Sequence, residues 1–223
     1  MVAQEVHTSH LLDEIRRLAR AVGAPERIVP RRELDRLVSA NHQGVVVVAA
    51  AYRYAALSSV LAGATTGVLF ADGIMDPQNL GALIRSALGA GFDGVVIPSH
   101  RAAGVTAAAR RVSAGATELM EIAKVGNLSR AIEQAKSAGL WVVGLDEKAE
   151  DSMWTSDLMD PPVGLVIGAE DRGISRTVRM QCDGLVAIPQ HDELGSLNAA
   201  VAGALAMFEV ARRVSIRSSD APR

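Results

Sequence analysis

Two polar, glycine-rich turns in the second half of the chain carry residue types that could bind a ligand. One, GAEDRG, spans Gly168–Gly173 after the apolar run Gly164–Ile167. The other, PQHDELGS, spans Pro189–Ser196 after the apolar run Leu185–Ile188. Both runs have the length and the bounding glycine or proline of buried parallel strands. Ligands of open α/β sheets bind just beyond the carboxyl ends of such strands, so the two turns predict a site that faces the long C-terminal helix.

A second candidate for chemistry is Arg85, on a helix predicted to start near Asp76 and Pro77. Aspartate is a favoured N-cap and proline a favoured first helical residue. Arg85 lies off the apolar face of this helix, with Gly81 and Gly89 one turn to either side, so another backbone could approach the guanidinium closely. The same spacing fits an ordinary exposed helix arginine, and the pattern alone does not separate the two.

Several familiar motifs are excluded. The literal G-x-G-x-x-G at Gly89–Gly94 follows a helix pattern and precedes the strand pattern Gly94–Pro98, which reverses the order that dinucleotide binding needs. The chain has no P-loop, no paired zinc-ligand motif and no G-x-S-x-G elbow. We therefore predict neither a dinucleotide site nor a metal site.

Composition bounds the class of protein. With 223 residues, 49% of them apolar, the chain suits one sizeable α/β domain and a small appendage. It has 2 Trp, 2 Tyr and 3 Phe, so base stacking cannot be its main recognition device. The net charge of −2 conceals an excess of arginine near the N-terminus, where residues 1–66 hold eight arginines and six carboxylates. That excess fits nucleic-acid binding, although a solvated helix face is the commoner explanation.

Cysteine usage and hydropathy bear on location. Cys182 is the single cysteine, which excludes an internal disulfide and fits a reducing compartment. The longest apolar run, Gly44–Ala51, is too short to span a bilayer, and the N-terminus shows no signal-peptide pattern. We therefore expect a cytoplasmic protein without a membrane partner.

The elements that must position the candidate residues fall into two groups. Within residues 1–62, helices are predicted over Ser9–Val22 and Arg31–Ser39, and a strand over Gly44–Ala51. These elements are few for an independent domain, so we interpret them as a reduced α/β appendage. A short helix and a small-residue hinge within Tyr52–Thr66 then lead into the main domain.

The main domain alternates strand and helix patterns. Buried strands are predicted over Gly67–Asp72, Gly94–Pro98 and Leu140–Leu145, ahead of the two strands that precede the polar turns. Asn127 is predicted to cap a helix that ends near Ala138. This alternation favours a mostly parallel sheet with helices on both faces.

Four stretches carry motifs in a recognisable order. They are DGIMDPQNLGALIRSALGAGFDGVVIP (Asp72–Pro98), VSAGATELM (Val112–Met120), GLVIGAEDRGIS (Gly164–Ser175) and AIPQHDELGSLNAAVAGALAMFE (Ala187–Glu209). Together they resemble the SpoU (TrmH-type) RNA 2′-O-ribose methyltransferases of the SPOUT superfamily, above all the rRNA guanosine-2′-O-methyltransferase group. The resemblance implies a catalytic domain at 67–214 and a flexible tail at 215–223. Residues 1–62 resemble the later part of the RNA-binding domain that often precedes the catalytic domain.

This resemblance also implies a topology, a cofactor and partners. The implied fold is α/β, with a C-terminal segment that threads through a loop to form a trefoil knot. The implied cofactor is S-adenosylmethionine, and the implied activity is 2′-O-ribose methylation of RNA by a homodimer. We expect 23S ribosomal RNA to be the substrate. The alternatives are a transfer RNA 2′-O-methyltransferase and a non-catalytic RNA-binding relative.

Site residues follow from the same resemblance, motif by motif. The positions that match the family's active site are Asn79, Arg85, Glu170, Ser196 and Asn198. The positions that match its cofactor pocket are Leu145, Gly168, Ile188 and Leu197. Each also has a purely structural interpretation; Ser196, for example, could be the N-cap of the last helix. Arg85 could be a general base or an electrostatic aid, because an arginine pKa above ~12 is awkward for a base.

Overall fold

The computed structural model describes residues 1–7, 9–38, 41–191 and 196–220, without the side chains of 218–220. It divides into two compact units, Met1–Ala51 and Tyr52–Arg223. The sequence placed this division near residue 62. The structure puts 52–62 in the second unit, because the Tyr52 hydroxyl donates a hydrogen bond of 3.0 Å to the Thr117 carbonyl and Ala55 bridges to Ala123.

The first unit is small. Its strands β1 (Val2–Ala3) and β2 (Ile28–Val29) pair in parallel, and its helices are α1 (His10–Ala21) and α2 (Arg31–Leu37). Ser9 caps α1 by accepting a hydrogen bond of 3.2 Å from the Leu12 backbone nitrogen. Ala3, Val29 and Leu34 form the buried core of this unit. Both helices lie where the sequence predicted them; Ser39, at the predicted end of α2, lies outside the described residues.

The strand predicted over Gly44–Ala51 is wrong. Among the described residues, this run forms a single antiparallel bridge, between Val45 and Val2, and Val47 and Val48 are 74% and 79% exposed. Valine favours strands when a neighbouring strand and a buried face are present to pack against. The two-residue strand β1 offers too short an edge, so the rest of the valine run stays irregular.

In the part of the chain that the structure describes, the second unit is built on six parallel strands. In chain order they are β3 (Gly67–Asp72), β4 (Gly94–Pro98), β5 (Ile122–Val125), β6 (Trp141–Leu145), β7 (Val163–Gly168) and β8 (Gly184–Val186). Their spatial order is β5-β4-β3-β7-β6-β8, and every pairing is parallel. The predicted mostly parallel sheet is confirmed. Its central strands β3 and β7 end side by side, with Asp72 in register with Gly168.

Helices cover both faces of this sheet. They are α3 (Leu57–Leu61), α4 (Pro77–Gly89), α5 (Ala107–Val112), α6 (Ala116–Leu119), α7 (Leu128–Ser137), α8 (Arg176–Arg179) and α9 (Ala199–Asp220). Alternate residues of β3 enter the two cores: Leu69 packs with α4 and α9 residues, whereas Phe70 packs with α3, α7 and α8 residues. Within the described residues, no helix is both long and apolar enough to cross a membrane.

Local capping explains two helix starts that the sequence predicted. The Asp76 carboxylate accepts a hydrogen bond of 2.8 Å from the Gln78 backbone nitrogen, and Pro77 is the first residue of α4. Asn127 accepts one of 3.1 Å from Arg130 at the start of α7. Asp76 therefore fixes where α4 begins, three residues before Asn79.

The C-terminal helix is longer than predicted. The tail expected from residue 215 is helical as far as Asp220, and residues 221–223 lie outside the described part of the chain. Arg217 holds this last turn by donating a hydrogen bond of 2.9 Å to the Pro161 carbonyl. One turn earlier, Arg213 donates to the carbonyls of Ser156 and Met153, at 2.7 and 3.0 Å. The long connection before β7 is thus fastened to α9.

A buried carboxylate at the centre of this contact should make stability depend on pH. The Glu209 side chain is 3% exposed and accepts hydrogen bonds from Arg212 and Arg213, at 2.7 and 2.8 Å. The hydrogen bond from Arg212, reinforced by that from Arg213, outweighs burial and holds the pKa of Glu209 below its ordinary value. Stabilisation by Glu209 is therefore complete above its unfolded-state pKa of about 4.3 and is lost as pH falls through the lower folded-state pKa.

We accordingly expect Glu209→Gln to lower the free energy of unfolding at pH 7 by roughly 1–2 kcal/mol, because it weakens two charge-assisted hydrogen bonds. Arg213 keeps Asp160 as a partner, and Arg212 is largely exposed, so neither is left as an unpaired buried charge. The measurement is urea unfolding of both proteins at pH 7 and at pH 3.5, where the difference should shrink. Glu133→Gln, at an exposed site on α7, is the matched control. Equal destabilisation by both variants would contradict this account.

Candidate functional site

Three polar side chains from distant segments meet at the carboxyl edge of the sheet. Asn79 comes from the first turn of α4, Glu170 from the loop after β7, and Asn198 from the residue before α9. Asn79 Nδ2 donates a hydrogen bond of 3.0 Å to Glu170 Oε1, and Asn198 Nδ2 donates one of 3.2 Å to Asn79 Oδ1. Asn198 Nδ2 also hydrogen-bonds to Glu170 Oε1. The structure therefore joins three of the five predicted active-site residues.

Asn198, and not Ser196, caps the last helix. Asn198 Oδ1 accepts hydrogen bonds from the backbone nitrogens of Ala200 and Val201, at 2.9 and 3.2 Å. Its amide nitrogen is thereby turned towards Glu170. Glu170 in turn accepts a hydrogen bond of 3.3 Å from the backbone nitrogen of Ala199. The start of α9 and the catalytic candidates are thus held by the same contacts.

The loop that carries Glu170 is closed tightly on itself. Ala169 and Gly173 exchange two backbone hydrogen bonds, of 3.1 and 2.8 Å. The Asp72 carboxylate accepts a hydrogen bond of 2.6 Å from the Ser175 backbone nitrogen, which ties the loop to the end of β3. A Cβ atom at Gly168 would overlap the Gly173 carbonyl carbon and the Ile174 nitrogen. Only glycine allows the returning loop to cross here.

A cleft of about 520 Å³ lies beyond the ends of β6, β7 and β8. All four predicted cofactor positions line it: Leu145, Gly168, Ile188 and Leu197. Glu170 and Ser196 lie on the same lining, which joins the cleft to the three-residue network. Asp192–Gly195, in the second glycine-rich turn, lie outside the described residues.

The cleft suits an adenosine-containing ligand such as S-adenosylmethionine. Its volume falls within the range of small-molecule sites. Gln190 lines it with a buried side-chain oxygen that has no hydrogen-bond partner among the described residues, which could receive an amino group. Leu145, Ile188 and Leu197 supply apolar walls, and Gly168 lines the cleft beside them.

Arg85 is not part of this network. It lies on the exposed side of α4 and, within the described residues, makes no hydrogen bond or ion pair. Arg85 lies six positions after Asn79 on the helix, or about 9 Å along the axis. The structure joins Glu170 to Asn79 and leaves Arg85 open to a bound partner or substrate.

The two units each match a known family. The model of the SpoU rRNA Methylase family matches residues 67–208. The chain belongs to the SpoU family. A second model, described as RNA 2′-O ribose methyltransferase substrate binding, matches residues 1–55.

Relatives of this SpoU protein agree with that assignment. It is 41% identical to the putative TrmH family tRNA/rRNA methyltransferase YacO of Bacillus subtilis, over 88% of this chain and 80% of YacO. It is also 41% identical to the 23S rRNA (guanosine-2′-O-)-methyltransferase RlmB of Xanthomonas axonopodis, over 91% of this chain and 83% of RlmB. The predicted class, an RNA 2′-O-methyltransferase, is confirmed at the level of the family.

A solved structure supports the cofactor. The SpoU methyltransferase AviRb of Streptomyces viridochromogenes, in complex with the cofactor AdoMet, is similar with a TM-score of 0.61 and 31% identity. The similarity covers 67% of this chain and 57% of AviRb. S-adenosylmethionine is thus the cofactor of the family to which this chain belongs, as predicted.

The SpoU cleft also contains an ion pair that sequence reasoning missed. Asp146 directly follows β6 and binds Arg179 of α8, and both line the cleft. Asp146 also accepts a hydrogen bond of 2.9 Å from the Lys148 nitrogen, so it shapes the first turn after the strand. The position of Asp146 directly after a predicted parallel strand is a sequence signal that could have identified it as a site residue. No such signal marks Arg179, because α8 is short and distant from Asp146 in sequence.

Other reactive groups lie outside the SpoU site. Burial raises the pKa of the Cys182 thiol to about 11, so it carries little thiolate at neutral pH. In the part of the chain that the structure describes, no three His, Cys, Asp or Glu side chains are grouped as a metal site.

Proposed function

We propose that this SpoU protein methylates a ribose 2′-hydroxyl in 23S ribosomal RNA, with S-adenosylmethionine as the methyl donor. The observation that carries the proposal is the Asn79–Glu170–Asn198 network at the mouth of the cofactor-sized cleft. The 41% identity to a 23S rRNA guanosine methyltransferase favours that RNA. Transfer RNA is the second candidate, because the name of YacO includes both RNA classes.

The network can prepare a ribose for attack. A hydroxyl is a poor nucleophile, so a neighbouring group must accept its proton as the new bond forms. When bound, S-adenosylmethionine supplies an activated methyl group on a good leaving group. Glu170 receives all three of its hydrogen bonds on Oε1, and its other oxygen, Oε2, has no partner among the described residues. Glu170 Oε2 is therefore available to accept a hydrogen bond from the substrate.

Asn79 and Arg85 would hold the RNA around that hydroxyl. Asn79 is oriented by Glu170 and Asn198, and its position at the start of α4 favours a nearby phosphate. Arg85 is exposed and can pair with a phosphate bidentately, which neutralises charge near the reacting oxygen. Leu145, Gly168, Ile188 and Leu197 would hold the cofactor, and Ser196 would line the passage between cofactor and RNA.

The test is methyl transfer from tritiated S-adenosylmethionine to protein-free 23S ribosomal RNA or, separately, to total transfer RNA. Ribose methylation is then mapped by resistance to alkaline cleavage. We expect one protected position in 23S RNA and none in transfer RNA. Methylation of transfer RNA alone would show that transfer RNA, and not 23S RNA, is the substrate. Methylation of bases in place of riboses would contradict the proposed reaction.

We infer that the working form is a homodimer. Val201, Leu205 and Phe208 are exposed and follow helical spacing along one face of α9. Phe208 lies against Gly89 at the end of α4, one turn from Arg85. A second copy packed on this apolar face would bury it and approach Arg85.

Phe208→Glu should therefore yield monomers, because it would bury a charge in the proposed interface. Sedimentation velocity measures the change, and His100→Glu, at an exposed loop site, is the control. A dimer that persists unchanged in Phe208→Glu would place the interface elsewhere.

Location and topology complete the proposal. A ribosomal RNA substrate and a single cysteine support a cytoplasmic protein, which cell fractionation tests. We also propose the trefoil knot that the family resemblance implies, and a crystal structure of the chain tests it.

A further inference from the structure

Charge divides the carboxyl edge of the main sheet into two halves. On the cofactor half, the stretches 146–151 after β6 and 169–175 after β7 carry six carboxylates: Asp146, Glu147, Glu150, Asp151, Glu170 and Asp171. Lys148 and Arg172 are the basic residues of these stretches, and Arg179 of α8 pairs with Asp146. On the other half, the connections from β4 to α5 and from β5 to α7 carry no carboxylate, and the first of them presents His100 and Arg101. A polyanion would be attracted to this second half.

The loop that carries Arg101 is held in one shape. Its start is fixed by a hydrogen bond of 2.8 Å from the Ser99 nitrogen to the Val125 carbonyl. Its middle is fixed by one of 2.7 Å from the Ala103 nitrogen to the Ile74 carbonyl. Arg101 itself is exposed and has a φ of 54°, a conformation that non-glycine residues seldom adopt. Such a conformation persists where neighbouring contacts enforce it, so the guanidinium is presented from a rigid loop.

Lys124 is presented beside this loop. It is the third residue of β5 and lies in register with Ile97 of β4. Its ammonium group lies 5.2 Å from the centre of the Tyr54 ring, an attraction that restrains the long side chain. The Tyr54 hydroxyl in turn accepts a hydrogen bond of 3.0 Å from the Val105 nitrogen. The lysine and the Arg101 loop therefore share a support.

These basic groups lie within reach of the reaction site. Adjacent strands are about 4.8 Å apart, so β5 lies roughly 10 Å from β3. The Arg101 loop donates a backbone hydrogen bond to Ile74, which lies in the connection between β3 and α4. Asn79 lies in the first helical turn of α4, directly after this connection. Arg130, exposed in the first turn of α7, extends the basic surface away from the site.

We propose that Arg101, Lys124 and Arg130, together with His100, form a phosphate track that binds the RNA backbone next to the reacting ribose. The proposal deepens the proposed RNA methyltransferase function and rests on it. The chemistry is that of a sugar–phosphate chain: basic groups at intervals, with few aromatic residues for stacking. The acidic loops on the cofactor half would keep the same chain away from the cofactor cleft.

The test compares RNA affinity at several salt concentrations. The probe is a fluorescein-labelled single-stranded 20-nucleotide RNA copied from 23S ribosomal RNA, followed by anisotropy. The variant is Arg101→Asn with Lys124→Gln, since asparagine tolerates the positive φ. Each lost phosphate contact should reduce the slope of log affinity against log salt concentration by about 0.7. At 0.1 M salt, this corresponds to a loss of affinity of roughly 5-fold for one contact and roughly 25-fold for two.

Arg111→Gln is the matched control. Arg111 is exposed in the last turn of α5 and, within the described residues, has no ion pair. It should leave both affinity and salt slope unchanged. Binding of S-adenosylhomocysteine, measured by calorimetry, should be the same in the wild type, the double variant and the control.

Three outcomes decide the proposal. The phosphate track is supported if the double variant, and not the control, binds RNA more weakly and its affinity depends less steeply on salt concentration. Wild-type affinity in the double variant, or an equal loss in Arg111→Gln, overturns it. Failure of the proposed methyltransferase function gives a different result. The wild-type chain would then bind RNA with the expected salt dependence, and the double variant would bind it more weakly, but neither would transfer a methyl group to any RNA.

Discussion

Replacing Arg85 with alanine is expected to lower the rate of methyl transfer roughly 10²-fold while S-adenosylhomocysteine binds as before. Arg85 is exposed on α4 and, among the described residues, has no hydrogen bond or ion pair, so its truncation removes little packing. It also lies outside the lining of the cofactor cleft. Its loss should therefore be felt only once RNA is bound, as charge develops near the reacting oxygen. The measurement is single-turnover methylation of 23S RNA with the enzyme and S-adenosylmethionine in excess.

Two comparisons show what Arg85 does. Arg85→Lys should not restore the full rate, because lysine lacks the planar fork that binds phosphate bidentately. Arg111→Ala, at an exposed arginine of α5, should keep the wild-type rate. If Arg85→Ala is fully active while Asn79→Ala or Glu170→Ala is not, the network acts alone and Arg85 has no catalytic part.

The second large effect is expected at Gly168. A methyl group there would overlap the Gly173 carbonyl carbon and the Ile174 nitrogen. Both are backbone atoms of a loop closed by its own hydrogen bonds, so they cannot move aside as the end of a side chain could. Gly168→Ala should therefore displace the loop, carry Glu170 away from Asn79, and weaken S-adenosylhomocysteine binding by about 10²-fold or more.

Calorimetry measures that loss, and circular dichroism shows whether the sheet remains folded. Gly126→Ala is the control, because a Cβ atom at Gly126 would meet no atom within 4 Å. Cofactor binding should be unchanged in the control. Normal binding by Gly168→Ala would mean that the loop is not fastened as the structure has it.

Elements whose conformation is set by neighbouring residues agree with their sequence-based predictions. The strand over Gly67–Asp72 and the capped start of α4 were predicted at the positions observed, because an apolar run and an Asp-Pro pair act within a few residues. The strand predicted from the valine run at Gly44–Ala51 is wrong, because a strand also needs the edge of a neighbouring strand to pair with. The prediction of a flexible tail from residue 215 is wrong as far as Asp220, because Arg217 donates a hydrogen bond to Pro161, which is far away in sequence.

The sequence by itself determined the class of fold and, through its motifs, the family and the candidate residues. It did not determine their geometry. Asn79 and Glu170 are 91 positions apart, and Asn79 and Asn198 are 119 apart, so only the packing of α4 and α9 on the sheet brings them together. The tertiary structure also decided that Arg85 lies apart from the network and that Asn198 caps α9 in place of Ser196.

Strand order decided the rest. In sequence, Arg101 lies in the connection after β4 and Lys124 lies in β5, and nothing marks the two residues as neighbours. The order β5-β4-β3-β7-β6-β8 sets them on the opposite half of one edge from the acidic loops after β6 and β7. Pairing between strands distant in sequence creates that division of charge, and periodicity within single segments cannot encode it.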